Sequence, residues 1–306
     1  MGLATVGNKL LNMGDLSFNP HPITLAFCLV AIFGYRYVCS INPNPDSQAS
    51  SEGTASPFSS KRMRCTSRQK WFFAFGLGAV FLANYWPLAE VARHDLLLGR
   101  MTQQLLITLA APPLLLMSLP KVAVVHLTRP RFLDFALTTL TRPLPSIIIF
   151  SIAAVSAISP PLVRFEAAGS ANDLIVQVML FIASVLVWIP VLRILPGIRH
   201  LSTAGRLAYV FVLSLVPSIP AIVLIFARRS LYSTYSHGAF GISAVGDQEL
   251  TGALAKIASL AVFWGIAIVI LLRADRDEEL GIDPEPLTWD DVQRELDRSS
   301  KKNPPG

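Results

Sequence analysis

Charge is scarce in this 306-residue chain: Asp, Glu, Lys and Arg make up 15% of it, against roughly 25% in a soluble globular protein. With 52% hydrophobic residues and a mean hydropathy of +0.51, that shortage excludes a soluble domain and also a single membrane anchor. Cysteine is scarce as well. Cys28, Cys39 and Cys65 form no CxxC pair and suggest no disulfide framework. There is no HExxH helix, no P-loop and no Gly-x-Ser-x-Gly elbow, so zinc peptidase, nucleotide-dependent and serine-hydrolase chemistry lack sequence support. The expectation is a protein that is not an enzyme.

What the chain does have is long apolar runs. A helix needs about 20 apolar residues to cross the hydrocarbon core. Seven segments approach that length: Pro22–Val38, Trp71–Ala89, Met101–Leu119, Leu144–Val163, Leu174–Leu195, Leu207–Ala227 and Leu250–Leu272. An all-α, polytopic membrane protein with a seven-transmembrane-helix bundle is expected. The first run is followed by no small-residue cleavage site, so it reads as a retained span and not a signal peptide. Pro112 and Pro113 interrupt the third run, and Lys256 lies within the seventh.

Lys and Arg in the short loops set the orientation. One side carries Lys61, Arg62, Arg64, Arg68 and Lys70, then Lys121, Arg129, Arg131 and Arg142, then Arg193, Arg199 and Arg206. The other carries Arg93, Arg100, Arg164, Arg228 and Arg229. Twelve against five places the N-terminus outside and the C-terminus in the cytoplasm. Cys39 and Cys65 then fall on the cytoplasmic side, where thiols stay reduced. The +6 net charge is a topology signal that also favours membrane lipids as partners, and its dispersal among loops argues against nucleic acid.

The domain reading follows. Residues 1–21 are an extracytoplasmic leader and 22–40 the first transmembrane helix. Residues 41–70 are a flexible basic cytoplasmic linker, 71–272 a six-helix membrane domain, and 273–306 an acidic cytoplasmic tail. Within the tail, Thr288-x-x-Asp291 with Trp289, Val292 and Leu296 has the spacing of a short amphipathic helix.

Polar groups at membrane ends are costly and therefore informative. On the inferred outer side stand His21, His94 and His237, with Met101 one turn inside the third span. Imidazole and thioether together suit copper, and thioether favours Cu(I). Ordinary helix-end histidines are the competing reading. Asp247-Gln248-Glu249 opens the seventh span, where acids also suit the helix dipole. Glu249 and Lys256 share a helical face but are too far apart to pair, so Lys256 is expected to snorkel outward or to meet an acid on another helix.

Several motifs together resemble the CtaG-type family of cytochrome c oxidase assembly factors, seven-span bacterial membrane proteins. They are Met101-Thr-Gln103 and Ala111-Pro112-Pro113-Leu-Leu-Leu with Leu119-Pro120. With them go Leu231-Tyr232…Tyr235 and Asp247-Gln248-x-Leu250-x-Gly252. The resemblance covers roughly Arg68 to Arg273. It implies a bacterial cytoplasmic-membrane protein that helps build the haem–copper oxidase, with oxidase subunits or other assembly factors as partners. It also implies a link to providing copper at the extracytoplasmic face; if the metal is held here, the residues read for it are His94 with Met101, aided by His237 or His21. Family members commonly read His-Met-x-x-His where this chain has Arg100-Met101-Thr-Gln-Gln104, so both histidines of that motif are replaced. Two other functions fit the residues. A solute or ion carrier would use the helices broken at Pro112-Pro113, Pro160-Pro161 and Pro217/Pro220. A seven-helix sensor would use Lys256.

Overall fold

A computed structural model describes residues 22–40, 65–85, 87–120, 124, 137, 139–194, 201–237 and 239–279. The described chain is helical, apart from turns and an isolated bridge between Ala239 and Ile242. We label the main helices α1 (Pro22–Ser40), α2 (Ser67–Asn84), α3 (Leu97–Ser118), α4 (Pro143–Ile158), α5 (Pro160–Ala167), α6 (Ser170–Leu192), α7 (Thr203–Phe226) and α8 (Ala244–Glu279). Each of the seven apolar runs falls on one or more of these helices. Four of them, α3, α6, α7 and α8, are long and apolar enough to cross a membrane, and α4 with α5 makes a fifth if that bent pair is one span. The leader, the residues between Ser40 and Cys65, and the tail beyond Glu279 lie outside the described residues, as does the Thr288–Leu296 helix reading.

Local chemistry starts the helices. Thr66 and Gln69 form a reciprocal capping box on α2, and the Ser202 hydroxyl accepts from the Gly205 amide at the start of α7. Prolines open α4 and α5, where a missing amide donor costs nothing.

Inside helices, proline strips the carbonyl four residues earlier of its donor. Pro112 does this to Thr108, just after a π turn at Leu106–Ala110. Two α6 side chains, the Ser184 hydroxyl and the Trp188 indole, donate to the Thr108 carbonyl instead. At Pro160-Pro161 the chain turns by 70° between α4 and α5. Pro217 and Pro220 divide α7 into Thr203–Leu215 and Ser218–Phe226, and the Ser218 hydroxyl donates back to the Ser214 carbonyl at 3.0 Å.

The packing follows from these breaks. The second half of α3 lies on α2, α6 lies on α4, and the second half of α7 runs antiparallel to α8. Three pairs mark the α7–α8 register. The Gln248 amide donates to the Leu224 carbonyl, Gly252 faces Ala221, and the Lys256 ammonium donates to the Ser218 hydroxyl. Gly252 permits the closest approach, because a Cβ there would lie 2.7 Å from the Ala221 carbonyl oxygen. Lys256 reaches across to α7, where it bonds the buried Ser218 hydroxyl at a proline break, and it meets no acid among the described residues. The main core gathers Phe150, Leu180, Trp188, Leu213 and Phe263 between α4, α6, α7 and α8.

Among the described residues α1 packs mainly on α2, with Tyr35 stacked on Phe73 at a ring separation of 3.9 Å and its hydroxyl donating to the Ser118 carbonyl of α3. At their shared end Cys39 and Cys65 form a disulfide, which corrects the expectation of reduced thiols there. The residues are far apart in sequence. Only the pairing of α1 with α2 brings their Cα atoms to 5.5 Å, a distance that sequence spacing does not reveal. Cys28 remains a buried free thiol.

Candidate functional site

The family-like motifs converge at the end of the bundle where α3 begins. A short helical stretch, Leu88–Glu90 continued by a π turn at Val91–Asp95, leads into α3. No residue of α3 caps its own N-terminus. Instead the Asp247 carboxylate, in the first turn of α8, accepts the Leu97 and Leu98 amides at 2.7 and 3.0 Å. Asp247 is thus a cap supplied in trans, placing negative charge at the positive end of α3. Gln248 beside it links two more elements. Its carbonyl accepts the Leu231 amide at 2.9 Å, while its NH2 group bonds Leu224.

Arg100 and Glu166 form a buried ion pair at the same end, with the guanidinium also donating to the Ala157 carbonyl at 2.7 Å. That carbonyl is the one Pro161 deprives of a helical donor. Their side chains are 5% and 10% exposed. Nearby, Arg93 lies 3.6 Å from Asp173. The Tyr232 hydroxyl donates to the Ile158 carbonyl at 2.7 Å, and the Tyr235 hydroxyl to Ala92 at 2.6 Å. Burial pushes both phenols above the usual tyrosine range, against a weaker opposing pull from Arg100. They remain neutral donors at physiological pH.

Among the described residues Glu166, Asp173 and Asp247 each meet a cation or amide donor, and both phenols donate to carbonyls. A polar cavity of about 10 Å³ lies between Arg93, Arg100, Gln103, Glu166, Asp173 and Tyr235, room for about one water. The Arg93 Nε there is buried without a described partner. Deeper lies an apolar cavity of about 40 Å³, lined by Met101, Gln104, Leu105, Phe150, Pro217 and Leu224. Gln104 Oε1 likewise has no described partner.

The metal candidates do not assemble among the described residues. Met101 is 3% exposed and packs with Leu97, Val163, Leu224 and Tyr235. His237 is exposed on a turn. His94 lies on the π turn, its side chain is not described, and His21 falls outside the described residues. No group of three His, Cys, Asp or Glu side chains suited to a metal occurs among the described residues. Arg100, standing where the family has a histidine, is committed to Glu166. Gln103 is buried at the small polar cavity, and Pro112 and Pro113 shape α3.

The sequence motifs point to Asp247, Gln248, Gly252, Tyr232 and Arg100 but not to Glu166 or the Arg93–Asp173 pair. A signal was present. Glu166 is the single acid between Asp134 and Asp173 and lies three residues past an apolar run, and Arg100 directly precedes another. Opposite lone charges at the edges of two spans tend to find each other.

Comparison with curated proteins and with solved structures gives no match. The model of the cytochrome c oxidase caa3 assembly factor family matches residues 58–277, which includes every helix from α2 onward to within two residues of the end of α8. This chain therefore belongs to the cytochrome c oxidase caa3 assembly factor family.

Proposed function

We propose that this chain is an integral membrane assembly factor for haem–copper (cytochrome c) oxidase, working by docking on oxidase subunits or other assembly factors and not by catalysis. The observation that carries the reading is the family match over 58–277, in a chain whose motif side chains bond one helix to another. A scaffold of this kind presents surfaces rather than reactive groups. A deletion strain should lose haem–copper oxidase content, and normal content at limiting copper would remove the proposal.

We assign seven spans, the N-terminus outside and the C-terminus in the cytoplasm of a bacterial inner membrane, on the twelve-to-five distribution of basic loop residues. The disulfide Cys39–Cys65 lies at the end assigned to the cytoplasm, and the two observations pull in opposite directions. Membrane-impermeant labelling of a cysteine placed at Ser233 decides the side. The link to copper rests on the family resemblance, with His94, Met101, His237 and His21 as its residues. The described residues do not compose a ligand set. Metal analysis of the purified protein tests it, and absence of copper ends it.

The carrier reading is less well supported. The carbonyls freed at Pro112 and Pro161 are taken up by Ser184, Trp188 and Arg100, so they do not line a path. For the sensor reading, Lys256 engages Ser218 and no counter-ion from an acid stands beside it among the described residues.

A further inference from the structure

Lys256 is a cation set well inside α8, eight residues past Gln248, or about 12 Å along the helix axis at 1.5 Å per residue. Its ammonium donates to the Ser218 hydroxyl at 2.6 Å. That contact continues the register set by Gln248–Leu224 and Gly252–Ala221, so the side chain reaches across to α7 and not toward the membrane surface. The hydroxyl in turn donates to the Ser214 carbonyl. It offers the ammonium a dipole but no negative charge. An ammonium has three donors, and one is engaged. Ion pairs join Arg93 to Asp173 and Arg100 to Glu166, and no acid pairs with Lys256 among the described residues. Glu249, on the same face, is two turns away, beyond direct reach.

An intramembrane ionisable group normally faces the bundle interior and pairs with another ionisable group or a backbone carbonyl, and Lys256 has neither among the described residues. Around this one the helix faces are apolar and bare. Ile219 and Ile222 on α7 are 73% and 52% exposed, and Leu260, one turn beyond Lys256, is 45% exposed. Interhelical polar bonds and pairs hold helices together in lipid, where apolar contact alone has no hydrophobic drive.

We propose that the α7–α8 seam around Lys256 docks a transmembrane helix of another protein, and that this helix carries an Asp or Glu which pairs with the Lys256 ammonium. The charge selects the partner's acid, and the bare isoleucines and Leu260 accept its apolar face. The depth of Lys256 and its hold on Ser218 favour a helix-borne carboxylate over a lipid phosphate, which sits at the headgroup level. The inference rests on the docking reading above and narrows it to one surface and one kind of partner.

The test uses the full-length chain in its native membranes. A membrane-soluble carbodiimide activates buried carboxylates, and a lysine in contact displaces the urea to leave an amide, which mass spectrometry then locates. The expected product joins Lys256 to an Asp or Glu inside an apolar, span-length segment of another protein. It should vanish in Lys256→Met, and co-purification of that identified protein should fall by roughly tenfold, within the range of interhelical polar contacts in membranes. Lys256→Arg should keep the co-purification, which guards against a folding defect in Lys256→Met.

No inter-protein amide, with Lys256→Met retaining the same companions, overturns the proposal. So does retention of an acidic phospholipid by the wild type that Lys256→Met alone loses. The two readings fail separately. If deletion of the gene leaves oxidase intact while the Lys256 amide forms on another membrane protein, the oxidase assignment falls and the docking seam stands. If deletion removes oxidase while Lys256→Met changes nothing, the seam falls.

Discussion

Arg100 donates to the carbonyl of Ala157, the group that Pro161 leaves without a helical partner, and the same guanidinium holds Glu166. One residue thus closes a broken helix and neutralises a buried acid. Replacing Arg100 by Leu should cost about 3–5 kcal/mol, because it strands a buried carboxylate. The paired change Arg100→Leu with Glu166→Leu should recover much of that loss. Thermal unfolding of the purified protein in one detergent measures both, and additive losses would sink the argument.

Pro112 and the α6 donors give a second prediction. Ser184→Ala with Trp188→Phe leaves the Thr108 carbonyl without its described donors, a loss of about 1–3 kcal/mol. In a Pro112→Ala background the helix regains its own amide donor, so the same pair of changes should cost less. The melting temperatures of the four proteins form the cycle. Equal losses in both backgrounds would show that the proline is not the reason for those bonds.

Two glycines of α8 should respond oppositely to alanine. At Gly252 a Cβ would meet the Ala221 carbonyl oxygen at 2.7 Å and force α7 from α8, an overpacking cost of about 1–3 kcal/mol. At Gly265 a Cβ meets nothing within 4 Å, and alanine should stabilise by about 0.4–1 kcal/mol through the unfolded chain. Comparing the melting temperatures of the two variants checks the packing directly.

Tyr235 links stability to pH. Burial raises its phenol above the ordinary tyrosine value in the folded protein. The sign follows: the neutral, donating form is favoured by folding, so its contribution is complete below about pH 10 and is lost as pH rises through the folded value. Stability measured from pH 8 upward should therefore fall in the alkaline range, more steeply for the wild type than for Tyr235→Phe. Parallel curves would mean that burial does not hold the phenol neutral.

The disulfide is checked by counting thiols. Alkylation of the denatured, unreduced protein should label one cysteine, Cys28, and labelling after reduction should reach all three. Three labels without reductant would remove the bridge.

How much of this was legible beforehand depends on the distance over which each interaction acts. Helix content and membrane class follow from composition and apolar run length, which are local properties, and the chain order of the motifs pointed to the family. The prolines marked where α3, α4 and α7 would break. They did not say which side chain would mend each break, because Ser184, Trp188 and Arg100 come from other helices.

The sequence by itself determined an all-helical membrane protein and the family to which it belongs. Apolar length, proline positions and motif spacing are written along the chain, and they act over a few turns. Only the tertiary structure decided what the motif residues do. Asp247 looked like an acid suited to its own helix dipole, yet it caps α3 across about 150 residues of chain. Met101 stands at a span end in the sequence and lies packed beside a cavity in the fold. Cys39 and Cys65 looked like separate reduced thiols and are bonded. In each case the residue type limits the possible bonds, while the helix packing selects the partner by bringing one of them within about 3 Å, a choice that no local pattern encodes.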